Sequence, residues 1–128
     1  MGGGRRCGGR MTSPPTLHRG DVVLVRLDPT EGREIRKTRP AVVVSNAAAC
    51  RADSVVQIVP LTSLPERPLR PYEARIEASD TSDLARASRA VANQIRTVAR
   101  HRIVRVLGQT EPADLEVVLS AMRIQLGL

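Results

Sequence analysis

Short β-branched runs, each stopped by proline, glycine or a polar cluster, limit what this chain can fold into more than any other feature. Residues 21–27 (DVVLVRL) are mostly apolar and end at Asp28 and Pro29, the pattern of a strand. Pro40 fixes the backbone ahead of residues 41–45 (AVVVS), a run too short for a helix and apolar enough for a buried strand. Residues 54–61 (SVVQIVPL) predict a third strand, and residues 72–77 (YEARIE) alternate like a fourth with one face in water. A fifth is expected to cover 87–95 and a sixth 103–107. Residues 64–71 hold three prolines and must be loop.

The tail changes period. Leu115, Val118, Leu119, Met122 and Leu126 recur at helical spacing, giving one apolar face. Thr110 can cap that helix, Glu111 and Asp114 suit the positive end of its dipole, and Pro112 is tolerated in its first turn. Five or six short strands and one terminal helix predict an α+β fold that is mainly β: a small SH3-like barrel or bent antiparallel sheet with a C-terminal helix. Residues 1–16, rich in glycine and arginine, have nothing to bury and read as a disordered extension, with Met11 an alternative start to Met1. Residues 17–128 are expected to form a single domain, and no internal repeat is visible.

The charge is one-sided. Lys+Arg number 20 against 13 Asp+Glu, a net charge of +7, and every cation but Lys37 is arginine. Guanidinium groups stay protonated and pair bidentately with phosphate, so the surplus leans towards a polyanion, although codon bias alone also produces arginine in place of lysine. Residues 81–109 hold six arginines against Asp83, whereas the tail is acidic. Tyr72 is the only aromatic residue, which counts against readers that stack bases on aromatic platforms. Cys7 and Cys50 form no C-x-x-C pair, so no zinc site or redox motif is readable, and two lone cysteines fit a reducing cytoplasm. No apolar run reaches the ~18–20 residues of a membrane span.

Candidate chemistry is cationic. His18 and His101 are the only histidines, one beside the N-terminal extension and one in an arginine-rich turn, and surface positions explain both. The carboxylates form no spaced set with them, so no metal is expected, and no phosphate-loop or serine-elbow motif is present. The loop ahead of the second strand carries Arg33, Arg36, Lys37 and Arg39. Arg39, held at the start of a buried strand, is a fixed positive group suited to transition-state charge. Thr62 and Ser63 follow the third strand and offer hydroxyls for phosphate or a ribose 2′-OH. Chemistry alone leaves open that Thr38 and Arg39 only cap a loop, and that Thr62 and Ser63 only make a turn.

Five segments in order, RGDVVLVRLDPTEG (19–32), KTRPAVVVSN (37–46), VPLTS (59–63), NQIRTV (93–98) and QLGL (125–128), closely resemble the MazF/PemK family of toxin endoribonucleases. The resemblance covers nearly the whole folded part. It implies a homodimeric, metal-independent, sequence-specific endoribonuclease of a type II toxin–antitoxin system, with the barrel that this family shares with CcdB-type gyrase poisons. Cleavage through the ribose 2′-OH, leaving a 2′,3′-cyclic phosphate and a 5′-OH, would need no cofactor.

By the same resemblance Arg39 and Thr62 are the catalytic pair, and Ser63 and Gln94 line the RNA groove. Residues 30–37, with Arg33 and Lys37 as RNA contacts, match an element that moves when RNA or antitoxin binds. Asn93 stands where many relatives have an acid and Arg33 where some have a catalytic histidine, so Asn93 is assigned to binding and the general base is open. The implied partners are single-stranded mRNA, an acidic MazE-like antitoxin and a second copy of the chain, with DNA reached only through the antitoxin complex. A catalytically decayed binding module and a CcdB-like gyrase poison are the alternatives on the same fold.

Overall fold

The computed structural model describes residues 16–27, 37–52 and 54–128. Most of the expected N-terminal extension and the loop carrying Arg33 and Arg36 lie outside these residues. Seven strands are present among them: β1 (Asp21–Arg26), β2 (Thr38–Val43), β3 (Val55–Ser63), β4 (Glu73–Ile76), β5 (Ser88–Val91), β6 (Arg96–Ala99) and β7 (Ile103–Gln109). Helix α1 (Ala47–Ala52) lies between β2 and β3, and α2 (Pro112–Leu126) ends the chain. All pairings are antiparallel, in the order β4-β5-β3-β2-β1-β7, with β6 also on β3.

The long β3 organises the sheet. Its first half pairs with β6 (Val55 opposite Ala99) and its last three residues with β5 (Leu61 opposite Ala90). Between these partners the chain makes a 3₁₀ turn at Ala92–Gln94, so the single strand expected over 87–95 is really β5 followed by a turn, and β6 begins only at Arg96. The sheet is buried on both faces. Val23, Val25, Ala41, Val43, Val56 and Ile58 form one core cluster with Leu17, and Val22, Val42, Val59, Leu61, Ile76 and Ala90 form the other. Helix α2 covers the second cluster through Val118 and Ala121. Continuous valine runs, rather than alternating ones, are what two-sided burial demands.

Two local details differ from the sequence reading. Helix α1 was not expected; Asn46 Oδ1 accepts the Ala49 N–H at 2.9 Å, capping three successive alanines. Thr110 does not cap α2. Its buried hydroxyl donates to the Gly20 carbonyl at 3.0 Å, and Glu111 takes the cap position without a side-chain bond. Pro112 opens α2 as expected, and Gly127, left-handed at φ 73°, closes it. No helix of the described residues is long and apolar enough to cross a membrane.

Candidate active site

Arg39 and Thr62 belong to adjacent antiparallel strands. The β2–β3 register pairs Val42 with Val59 and Ala41 with Pro60, so Arg39 near the start of β2 and Thr62 near the end of β3 lie at the same end. They also share a face: Arg39 keeps step with Ala41 and Val43, Thr62 with Val56 and Ile58, and all four of those apolar residues belong to one core cluster. The two side chains therefore stand where this buried face reaches solvent, and both are half-buried. Among the described residues the Thr62 hydroxyl has no hydrogen-bond partner.

Thr62 opens onto a cavity of about 390 Å³ that Asn93 and Gln94 also line, brought there by the 3₁₀ turn after β5. The backbone holds this turn: the Ala92 N–H donates to the Tyr72 carbonyl at 2.9 Å and the Ile95 N–H to Ala92 at 3.2 Å. Arg39 is not among the lining residues. Ser63 is exposed, and its carbonyl, not its hydroxyl, is engaged here. Lys37 is exposed, with φ 70°, and its carbonyl accepts the Leu27 N–H at 3.0 Å. Arg33 lies outside the described residues. His101 belongs to a separate 330 Å³ cavity with Arg26, Thr38 and Arg102, and His18 is exposed beside Asp21. A larger cavity of 510 Å³ lies over residues 78–85, with no cation on its wall.

The other walls of the Thr62 cavity hold residues that the sequence reading passed over: Arg67, Tyr72, Glu73 and Arg89. Glu73 was expected on the watery face of an alternating strand, yet its side chain is 1% exposed. Its carboxylate accepts Arg67 Nη1 at 2.8 Å and Nη2 at 3.0 Å, the Arg70 N–H at 2.8 Å, and Arg89 Nη1. The bidentate Arg67 bonds above all, then Arg70 and Arg89, hold the Glu73 pKa down at about 2 against the opposing pull of burial. Two guanidiniums on one carboxylate leave one net positive charge. Nothing local signals this cluster, since Arg67 and Arg89 reach Glu73 from a proline loop and a neighbouring strand. Tyr72, the lone aromatic, adds a single ring to the wall.

Comparison with known proteins follows the same lines. The profile of PemK-like, MazF-like toxins of type II toxin–antitoxin systems matches residues 18–126. Endoribonuclease MazF9 of Mycobacterium tuberculosis is 36% identical over 117 residues, covering 88% of this chain and 98% of that protein. A solved mycobacterial endoribonuclease in complex with its cognate antitoxin superposes with a TM-score of 0.70 at 27% identity, covering 88% of this chain and 96% of its own. MazF from Deinococcus radiodurans gives a TM-score of 0.75 at 25% identity, with coverages of 89% and 99%.

Proposed function

Because the chain belongs to the PemK-like, MazF-like toxin family, a family of endoribonucleases, we propose that it cuts single-stranded mRNA at a short recurring sequence without a metal ion. The observation that carries this reading is the common end and face of Arg39 and Thr62 on β2 and β3, beside a polar cavity. The reaction is a phosphoryl transfer within the substrate. The ribose 2′-oxygen attacks phosphorus as the bond to the 5′-oxygen breaks, giving a 2′,3′-cyclic phosphate and a 5′-OH. Arg39 stabilises the charge that builds on the equatorial oxygens and donates a hydrogen bond to the departing 5′-oxygen. Thr62 orients the scissile phosphate or the 2′-OH.

Asn93 cannot accept the 2′-OH proton, and an unperturbed threonine hydroxyl is a very poor base, so that proton passes to a phosphate oxygen or a water, and a proton handed on from there completes the 5′-OH on the departing oxygen. Lys37, Ser63, Asn93 and Gln94, with Arg33 from the loop, bind the flanking nucleotides.

An antitoxin partner is supported by the mycobacterial relative solved with its own antitoxin; here an acidic antitoxin segment, ordering as it binds, would occupy the basic RNA groove. Two copies of the chain would frame the groove, with the exposed apolar residues Val117, Ile124 and Leu126 of α2 as candidates for the contact between them. The cytoplasm, where mRNA is, is the expected compartment. The test is incubation of purified protein with a long defined RNA in EDTA, beside Arg39→Ala. Cuts at one recurring motif with cyclic-phosphate ends, lost in the variant, are expected. Folded, antitoxin-free protein that leaves the RNA whole would overturn the reading in favour of a binding module.

A further inference from the structure

Directly opposite Thr62 on the neighbouring strand stands Arg89. Residues facing one another across an antiparallel pair project to the same side, with Cβ atoms about 4.5–5.5 Å apart. In strand order β2-β3-β5, Thr62 therefore lies between Arg39 on one flank and Arg89 on the other. The guanidinium of Arg89 is fixed at two points: Nε donates to the Ser63 carbonyl at 3.0 Å and Nη1 to the Glu73 carboxylate. Among the described residues its Nη2 donates to no group. The side chain is 22% exposed and lines the Thr62 cavity, the space a substrate would enter.

Glu73 supplies the rigidity. Arg67 grips both oxygens of its carboxylate, sharing Oε2 with Arg89, and the Arg70 N–H holds Oε1, so the carboxylate cannot turn aside when an anion arrives. A lone arginine beside a carboxylate would be neutralised by it. Here two guanidiniums share one carboxylate, so the cluster of Arg67, Glu73 and Arg89 keeps one net positive charge. An immobilised guanidinium with free donors loses little entropy on binding a phosphate, which is what a preorganised anion site requires.

We propose that Arg89 is a substrate-binding residue that grips the phosphate next to the scissile one, on the flank away from Arg39, and that Glu73, itself fixed by Arg67, is its positioning residue. This rests on the endoribonuclease reading above and adds a direction to it: RNA crosses the sheet from β2 over β3 towards β5.

The test uses full-length protein and an RNA oligonucleotide spanning one site that the wild-type enzyme cuts. Its phosphates are replaced one at a time by uncharged methylphosphonates. With wild-type protein, one position beside the cut should raise KM about ten- to a hundredfold, the worth of a charge-assisted hydrogen bond. Arg89→Ala should show that loss already on unmodified RNA and become indifferent to the substitution at that position alone. Arg89→Lys, which keeps the charge but not the fork, should fall between. Glu73→Gln should blunt the same position and, combined with Arg89→Ala, add nothing at it, an outcome a merely structural role would not give.

An Arg89→Ala profile matching the wild type at every phosphate overturns the proposal, and so does sensitivity spread evenly over all positions. Should Arg89→Ala fail to fold, Arg89→Lys carries the comparison with the same outcomes. Wild-type protein that cuts no RNA sinks the parent reading instead, so the two failures are distinguishable.

Discussion

Arg39→Ala should lower kcat by about 10²–10³, the usual cost of removing a charge stabiliser, with a smaller change in KM. Single-turnover cleavage with unchanged thermal unfolding checks it. Glu73 leaves a different signature. Its carboxyl titrates near 2 when folded, against an ordinary value of 4.5, so the folded state prefers it ionised. That preference stabilises the fold in full above about pH 4.5 and disappears as pH falls through 2. Wild-type protein should accordingly lose stability between pH 4.5 and 2, and Glu73→Gln should lose less of it over the same range, read as the urea midpoint at each pH. Burial of Glu73 was not legible in the sequence, because YEARIE alternates like any half-exposed strand. Only the approach of Arg67 and Arg89 from elsewhere makes a dry carboxylate tolerable.

At the scale of elements, β7 depends on a glycine. A Cβ on Gly108 would lie 2.1 Å from the Thr81 carbonyl oxygen and 2.9 Å from backbone atoms of Ser82. That closeness lets the Thr81 carbonyl accept the Gln109 N–H at 2.8 Å, seating residues 77–84 on the strand, while Ser82 ties the loop together through Ser79. Gly108→Ala should cost roughly 1–3 kcal/mol, lowering the denaturant midpoint at constant m. Strands β1 to β3 were legible because their valine runs admit little else, although Pro40 and Pro60 fall inside β2 and β3 rather than at their ends. Helix α1 carried a readable signal, Asn46 before three alanines, but at six residues it had no periodicity to weigh. The turn at Ala92–Gln94 had no strong local marker. Its apolar residues Val91, Ala92 and Ile95 continue a strand pattern, and it exists because β3 takes two partners in succession along one edge.

For the whole molecule, the surplus of arginine should make RNA binding strongly salt-dependent. The expected slope of log K against log salt is about −0.7 for each phosphate engaged. Titration of a non-cleavable RNA at several salt concentrations measures it, and a slope near zero would mean that the basic face is not the binding surface. Ile124→Glu, placing a charge on an exposed apolar residue of α2, should shift a dimer towards monomers in sedimentation without unfolding them.

Composition, run length and motif order by themselves determined that this chain forms a mainly β domain of the MazF/PemK type, because strand-length valine runs and ordered motifs are local properties. The company that Thr62 keeps was decided by tertiary structure alone. Arg89, Glu73 and Arg67 are separated from it by 27, 11 and 5 positions. They meet it because β5 pairs with the end of β3 and β4 pairs with β5, and strand pairing between distant segments leaves no trace in either segment read alone.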